Sequence, residues 1–301
     1  MKNTKVSIVI PNYNGKTILE SNLPALVRAT GNVNNNIKEV IVVDNGSTDG
    51  SKELLSDKYP KIKVVRLDKN YGFSLAVNKG VAISKGNLIL LLNNDVSPSI
   101  NFLEPVFKHF DDPQVFGVSL HEKGYYWTEG KLENGFIAYK SGAKSKRSHD
   151  TFWVAGSSGV FRKSIWNKLG GLDEELLSPF YWEDIDLGYR ASKRGYKLVW
   201  EPRANVVHKH ASTASTQISR GYLQRIQERN QLLFIWKNLT SARMMRKHYS
   251  GLARRILRNP GYLRIFVMAL WKMPTVIRKR RIEKKECKVS DEAIIGRFNG
   301  T

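Results

Sequence analysis

The strongest constraint on the fold is a recurring boundary, a short and wholly apolar run that stops at Asp or Asn. Val40-Ile41-Val42-Val43 ends in Asp44-Asn45-Gly46-Ser47, and Leu88-Ile89-Leu90-Leu91-Leu92 ends in Asn93-Asn94-Asp95. Runs this short and this apolar suit strands buried on both faces, as in parallel sheets. The C-terminal edge of such a sheet is where open α/β folds bind ligands. A carboxylate leaving that edge costs free energy if it is buried unpaired. It therefore either caps a helix or handles a polar ligand. Further on, Tyr181-Trp182-Glu183-Asp184 places two more acids at the start of an amphipathic segment.

The first ~120 residues alternate strand and helix patterns. Strands are expected at Val6 to Ile10, Ile37 to Val43, Ile62 to Leu67, Leu88 to Leu92 and Val115 to Ser119. Helices are expected at Thr17 to Ala29, from a Ser47-Thr48 cap toward Tyr59, at Tyr71 to Ser84 and at Ile100 to Phe110. This rhythm predicts a mostly parallel, three-layer α/β sheet with right-handed crossovers. The pattern then changes. Tyr125 to Tyr139 reads as a hairpin or loop, and Lys140 to His149 as a polar, basic loop. Phe152 to Val154 and Gly159 to Phe161 read as short extended pieces, Asp184 to Arg194 as a helix, and Lys197 to Trp200 and Asn205 to Val207 as strands. Three helical segments follow, at Ser219 to Asn238, Ala242 to Leu257 and Tyr262 to Arg281, with Asn259-Pro260-Gly261 as a breaker. The expected organisation is a catalytic α/β domain over 1–218, in halves 1–120 and 121–218, and a basic helical extension over 219–301.

With 301 residues, 41% of them hydrophobic, the chain can bury a large core and is not a disordered polymer. Its single cysteine, Cys287, excludes an internal disulfide framework and fits a reducing compartment. Val6 to Ile10 is too short for the core of a signal peptide, and Arg264, Lys272 and Pro274 interrupt the longest late apolar stretch.

Each edge motif has two readings when taken alone. Pro11-Asn12-Tyr13-Asn14-Gly15 is an ordinary αβ-unit loop or a turn approaching a ligand closely. Asp44 caps a helix or accepts hydrogen bonds from a ribose or base. Lys69-Asn70-Tyr71-Gly72-Phe73 is a further loop at the same edge. Asp95 can ligate Mg²⁺ or Mn²⁺ bridging a diphosphate, since hard oxygen ligands suit both ions. His208 and His210 share one face of their strand. They are either polar residues at a strand end or ligands, and a single distant cysteine argues against a zinc site.

Taken together and in order, these pieces resemble the family 2 glycosyltransferases of the nucleotide-diphosphosugar-binding GT-A fold. The matching segments are 6–15, 42–51, 70–73, 90–96, Gly170-Gly-Leu-Asp-Glu174 and Trp182-Glu-Asp-Ile-Asp186. The resemblance covers roughly residues 5–212, and its nearest branch is rhamnosyltransferase-like. It implies a nucleotide-sugar site built from Pro11, Asn14, Asp44, Asn70, Asn94 and Gly156. It implies a metal site at Asp95, with Asn93 standing where the family's Asp-x-Asp motif has its first acid. His208 would close that site, with His210 as runner-up. Asp184 matches the position of the catalytic base, with Glu183 beside it. Gly156-Ser-Ser-Gly159 would form a backbone wall near the donor sugar, and Trp153, Tyr181 and Trp182 are sugar-stacking or core residues.

The implied function is inverting transfer of a sugar, rhamnose or another deoxysugar or hexose, from a nucleoside-diphosphate sugar. The acceptor is a hydroxyl of a lipid-linked or polysaccharide acceptor in cell-surface glycan synthesis. A non-catalytic nucleotide-sugar-binding or scaffold protein is the alternative, disfavoured by the intact Asp44, Asp95, Asp184 and His208. A nucleotidyltransferase would want a glycine- and lysine-rich phosphate loop, and after the first strand only Lys16 is of that kind.

The formal charge is +22, and residues 220–301 hold 20 basic and 5 acidic residues. This is either a solvated face or a surface for an anionic partner. Arg254-Arg255-Ile-Leu-Arg258 and Arg278-Lys-Arg-Arg281 flank an apolar segment, which fits an interfacial helix on an anionic membrane surface. The expected location is the cytoplasm, peripheral on the inner face of the cell membrane. Nucleic acid is not an expected partner, since no zinc-finger spacing, RNA-binding signature or recognition helix stands out.

Overall fold

The computed structural model describes residues 4–209 and 219–298. Its centre is a nine-stranded sheet. Strands β1 (Val6–Asn12), β2 (Ile37–Asp44), β3 (Lys63–Arg66) and β4 (Leu88–Leu92) run parallel in the order β3-β2-β1-β4. Helices α1 (Lys16–Thr30), α2 (Ser51–Lys58) and α3 (Phe73–Ile83) make the crossovers. Beyond β4 the sheet becomes mixed. β5 (Val96–Pro98) forms its far edge, and β6 (Val115–Glu122) lies inside it. β7 (Thr128–Glu133) and β8 (Phe136–Ser141) form a separate hairpin, as the sequence suggests. β9 (His149–Asp150) and β10 (Ser158–Arg162) return to the main sheet. β10 is antiparallel to both β4 and β6.

Helices α4 (Lys163–Leu169) and α5 (Glu183–Lys193) precede the long strand β11 (Lys197–His208). β11 joins what the sequence reads as two strands, and its pairing with β6 shifts register between Glu201 and Asn205. The C-terminal helices are α6 (Arg220–Asn238), α7 (Ala242–Arg258), α8 (Tyr262–Leu270), α9 (Met273–Glu286) and α10 (Asp291–Gly296).

The period-two pattern explains why the apolar runs have no polar side. Val40 and Val42 of β2 enter one core with Leu88, Leu90 and Leu92 of β4 and with Leu19, Leu23 and Leu26 of α1. Ile41, Val43, Ile89 and Leu91 enter the opposite core with Ala76 and Val77 of α3 and Leu187 of α5. With both faces covered, the strand ends are the natural places for polar chemistry. A third core joins the hairpin, α5 and the C-terminal helices, through Phe136, Trp182, Tyr189, Phe234, Trp236 and Leu252.

Four local expectations need correction. The segment Glu104–Asp111 is a 3₁₀ helix, not an α-helix, and Pro105 sits in its first turn. α2 begins only at Ser51, behind Gly50 at φ 84°. Ser47 is turned toward Asn12 and Asn14 instead, so it is not that helix's cap. Tyr262 to Arg281 is two helices, α8 and α9, because Pro274 in the first turn of α9 lacks the N–H needed to continue α8. Phe152 to Val154 lies in no strand. α4 and α10 are short helices that the sequence reading does not anticipate.

Candidate functional site

The C-terminal ends of β1, β2 and β4 meet in a network of amides. Asn12 and Asp44 are register partners at the ends of β1 and β2, and both are buried. Asp44 Oδ1 accepts the Ser47 N–H at 3.2 Å, and Ser47 Oγ accepts the Asn14 N–H at 2.9 Å. Asn14 sits at φ 47°, a conformation Asn tolerates, and its Oδ1 accepts the Thr48 N–H at 2.8 Å. Pro11 lies within β1 opposite Val43, so it borders the turn without forming it. Asn94 donates to Asn12 Oδ1 at 2.8 Å. Gly15 is confined by the same pair, because a Cβ there would meet Asn12 Oδ1 and Asn94 Nδ2 at 2.4 Å.

Asn45 ties this edge to the loop before α3. It donates to Asn70 Oδ1 at 2.9 Å and to the Gly72 carbonyl at 3.1 Å, and it accepts the Tyr71 N–H at 3.0 Å. The Phe73 N–H donates to the Pro179 carbonyl at 3.1 Å, which links that loop to the segment carrying Glu183 and Asp184.

Asp95, just past β4, is buried, and apart from His208 its oxygens have no polar side-chain partner among the described residues. The Asn93 Oδ1 is also buried and without a hydrogen-bond partner. His208 Nε2 stands 3.1 Å from Asp95 Oδ1, an ionic contact without hydrogen-bond alignment, and His208 Nδ1 is 3.0 Å from Glu122 Oε2. Burial opposes charge on this imidazole, but hydrogen bonding and charge from Asp95 and Glu122 outweigh it and hold the pKa up at about 9. The main chain fixes the arrangement, with the Lys209 N–H donating to the Asp95 carbonyl and the Asn93 N–H to the Ser157 carbonyl. The lone Asn93 Oδ1 and the Asp95 carboxylate, whose one close partner is His208, form an oxygen set that suits Mg²⁺ or Mn²⁺, and His208 would have to release its proton to join it. Among the described residues no three His, Cys, Asp or Glu side chains make a complete metal site. A cation here would need further oxygens from a ligand or water. His210 lies outside the described residues.

Glu183 and Asp184 open α5. Tyr181 at φ 73° and Trp182 at φ 75° precede them, two bulky residues in the left-handed region where only a surrounding structure can hold them. That structure is α6. Asn230, wholly buried, donates to the carbonyls of Leu177, Phe180 and Tyr181 at 2.7, 3.0 and 3.0 Å. Trp182 packs on Phe234 with ring centroids 5.1 Å apart, so it serves the core. Tyr181 is exposed, and Trp153 packs edge-to-face with Tyr139 at 4.4 Å.

Glu183 is buried, and its Oε2 has no hydrogen-bond partner. Burial first, and the Asp184 charge second, push its pKa up to about 8. Asp184 is half-buried. It accepts N–H bonds from Gly156 at 3.3 Å and Ile185 at 2.8 Å, and burial raises its pKa despite them. The pair can thus hold one proton and leave one carboxylate free to accept another.

The structure brings Pro11, Asn14, Asp44, Asn70 and Asn94 to one edge, Asn93, Asp95 and His208 to its centre, and Gly156 against Asp184. Lys144, Lys146 and Arg147 are exposed on their loop. Sequence reasoning missed Glu122, Asn45 and Asn230. Glu122 had a signal, since it ends an apolar strand as Asp44 does. Asn230 had none, because a lone Asn within a helix does not announce its partners.

A family model, Glycosyl transferase family 2, matches residues 7–170, and the chain belongs to that family. The N-acetylglucosaminyl-diphospho-decaprenol L-rhamnosyltransferase of Mycobacterium tuberculosis is 26% identical over 210 residues, covering 57% of this chain and 66% of the relative. The O-antigen chain rhamnosyltransferase RfbN of Salmonella typhimurium is 25% identical over 228 residues, covering 72% of this chain and 70% of the relative. The chain thus spans about two thirds of the length of these rhamnosyltransferases. Among solved structures, the mannosyltransferase PcManGT of Pyrobaculum calidifontis, in complex with GDP-Man and Mn²⁺, superposes with a TM-score of 0.56 at 15% identity, over 94% of this chain and 86% of that one. GalNAc-T7 with UDP, GalNAc and Mn²⁺ gives a TM-score of 0.62 at 15% identity, over 79% of this chain and 48% of that one. The fold is that of the GT-A glycosyltransferases, and the chain is a glycosyltransferase of the family 2 type.

Proposed function

We propose that the chain transfers a sugar, rhamnose or another deoxysugar or hexose, from a nucleoside-diphosphate sugar to a hydroxyl of a lipid-linked or polysaccharide acceptor, with inversion. The observation that carries this reading is the pairing of two unsatisfied acidic centres in one family 2 fold. The Asp95 carboxylate and Asn93 Oδ1 have only His208 as a close partner at the sheet edge, and Glu183 with Asp184 has raised pKa values at the start of α5. Buried polar atoms without partners cost stability, so their presence in pairs favours a binding and catalytic role.

In this mechanism Asp44, Asn14 and the Asn70 loop hold the nucleoside, with Pro11 and Asn94 shaping the turn around it. Asp95, His208 and Asn93 would hold a Mg²⁺ or Mn²⁺ ion, which when bound offsets charge growing on the leaving diphosphate. Glu183 keeps its proton. Asp184, held by the Gly156 and Ile185 N–H groups, removes the proton of the acceptor hydroxyl as that oxygen attacks the anomeric carbon from the face opposite the diphosphate. The rhamnosyltransferase relatives support the sugar class, and the decaprenol in one relative's name supports a lipid-linked acceptor. Such an acceptor would bring the reaction to the cytoplasmic face of the membrane.

The test is a screen of nucleotide-sugar donors with mass detection of the product, run with Mn²⁺ and with EDTA. Turnover of a deoxysugar donor that EDTA abolishes is expected. Full activity in EDTA sinks the metal assignment, and absence of any turnover across the donor set sinks the transfer reading.

A further inference from the structure

α8 is apolar almost all round. Of its nine residues, Tyr-Leu-Arg-Ile-Phe-Val-Met-Ala-Leu, only Arg264 is charged. Tyr262, Ile265 and Ala269 are buried against the C-terminal core. The opposite side presents Leu263, Val267 and Leu270, spaced along one helical face, to solvent. Trp271, directly after the helix, is 82% exposed, as is Leu257 at the end of α7. Single exposed apolar residues need no explanation, but a run of five at one helix corner does. A helix apolar on both sides has its second side covered by something.

The neighbouring helix says what. α7 carries Arg243, Arg246, Lys247, Arg254, Arg255 and Arg258 and no acidic residue. Arg255 is used internally, stacked over the Phe136 and Tyr262 rings at 4.4 and 4.8 Å, which fastens α7 to the hairpin and to α8. The other five are exposed, and among the described residues no carboxylate forms an ion pair with them. They line two open concavities on either side of Arg254. One, of about 380 Å³, also contains Arg258, Asn134 and Gln231. The other, of about 540 Å³, contains Arg243, Arg246 and Lys247. Glu133 also lines the first concavity and is ion-paired with Lys131 at 3.0 Å, so the gathered cations outnumber the one carboxylate there, and a polyanionic surface relieves their repulsion.

We propose that the corner of α7 and α8 is the face by which this protein docks on an anionic phospholipid bilayer. Leu257, Leu263, Val267, Leu270 and Trp271 enter the headgroup boundary, and the α7 arginines take lipid phosphates in the concavities beside them. Apolar burial and headgroup attraction act together in such surfaces, and neither alone gives firm attachment. No helix among the described residues is long and apolar enough to cross a membrane, so the contact lies in the interface. The inference rests on the reading of a lipid-linked acceptor only for its purpose, and its test does not depend on turnover.

The test is flotation of the full chain with vesicles of phosphatidylcholine containing 30 mol% phosphatidylglycerol, and with pure phosphatidylcholine, alongside a thermal melt and light scattering. Binding to the anionic vesicles at least tenfold above the neutral ones, weakened by salt, is expected. Val267→Glu with Trp271→Glu, and separately Arg254→Glu with Arg258→Glu, should each lower anionic binding at least tenfold while leaving the melt and donor hydrolysis near wild type. Brominated lipids should quench tryptophan fluorescence in the wild type and less in Trp271→Glu. Wild-type binding by either folded variant overturns the proposal. So does a dimer in solution that Trp271→Glu converts to monomer, because a second copy would then cover the face. Loss of donor hydrolysis with normal vesicle binding would instead count against the glycosyl-transfer reading alone.

Discussion

Asp184 and Asp186 stand two residues apart at the start of α5 and live in opposite worlds. Asp186 is wholly buried and fully matched, accepting from Arg190 Nε at 2.7 Å, Lys237 Nζ at 2.9 Å and Asn238 Nδ2 at 2.7 Å. Lys237 also reaches Asp173 at 2.7 Å, and Lys279 reaches the same carboxylate at 2.7 Å. Burial works against both anions, yet the cations, Lys237 first, hold Asp173 and Asp186 below the usual carboxylate range. On the other side of the helix start, no cation among the described residues pairs with Glu183 or Asp184, and their pKa values rise. The matched cluster spends its polar atoms on holding the C-terminal helices to α5. The unmatched one leaves its polar atoms without such partners. A buried acid is therefore not informative by itself, and the balance of its partners separates structure from chemistry.

The comparison breaks first on Asp184→Asn. If the unmatched side does the chemistry, transfer should fall by at least about a hundredfold, the low end for a positioned general base. Donor affinity by calorimetry should stay within about twofold, since the change removes chemistry and spares ground-state binding. Parallel collapse of donor affinity would make Asp184 a binding residue. Asp95→Ala belongs to the same side with a different signature. It should abolish Mn²⁺-dependent turnover and raise the apparent Kd for the donor in Mn²⁺, with only a modest loss of melting temperature, because His208 loses its Asp95 contact and keeps Glu122. A cooperative loss of folding would move Asp95 to the matched, structural class.

The matched side should answer in stability. Lys237→Met leaves Asp173 and Asp186 buried with less compensation, a change that costs about 3–5 kcal/mol when one partner of a buried pair is removed. For a chain of this size that is a drop in Tm of roughly 10 °C. The pH sign follows from the depressed pKa values. The wild-type contribution is fully present above the ordinary carboxylate range and is lost as pH falls through it toward the lower folded values. The Tm gap between wild type and Lys237→Met should therefore narrow on acidification below pH 4. A gap that stays constant would show that the cluster acts by packing and not by charge.

What was legible follows the same division. Strands β1, β2 and β4 were readable because burial on both faces demands apolar residues at every position, and the acids and amides that end them stand out by contrast. Asp44, Asp95 and Asp184 stood out because each closes such a run or opens an amphipathic one, while the roles expected of them and of His208 came from the resemblance to family 2. The C-terminal tie was not. Lys237 looks like one more basic residue in a basic helix, yet it is wholly enclosed between Asp173 and Asp186, 64 and 51 positions away. Asn230 likewise holds the Tyr181 carbonyl across 49 positions. Pairings at such separations leave no local pattern. The broken helix after Leu270 was missed for another reason. The apolar spacing continues through Trp271, and only the missing N–H of Pro274 ends it.

The smallest effect on transfer concerns Glu183, and its stability tests whether the unmatched acid opposes folding once ionised. Its pKa in the folded protein, about 8, lies above the ordinary carboxylate value because burial and the Asp184 charge both oppose ionisation. Between those two values the folded protein holds a proton that the unfolded chain releases. Stability from this group is therefore present at low pH and is lost as pH rises through about 8. Glu183→Gln has no such proton to lose. Its Tm relative to wild type should be near zero or slightly negative at pH 5 and should become more positive toward pH 9. The amide keeps the shape of the protonated acid, so transfer should survive far better than in Asp184→Asn. A Tm difference independent of pH would mean that Glu183 is already ionised in the folded protein, and the assignment of the single proton to Glu183 and of base to Asp184 would have to be exchanged.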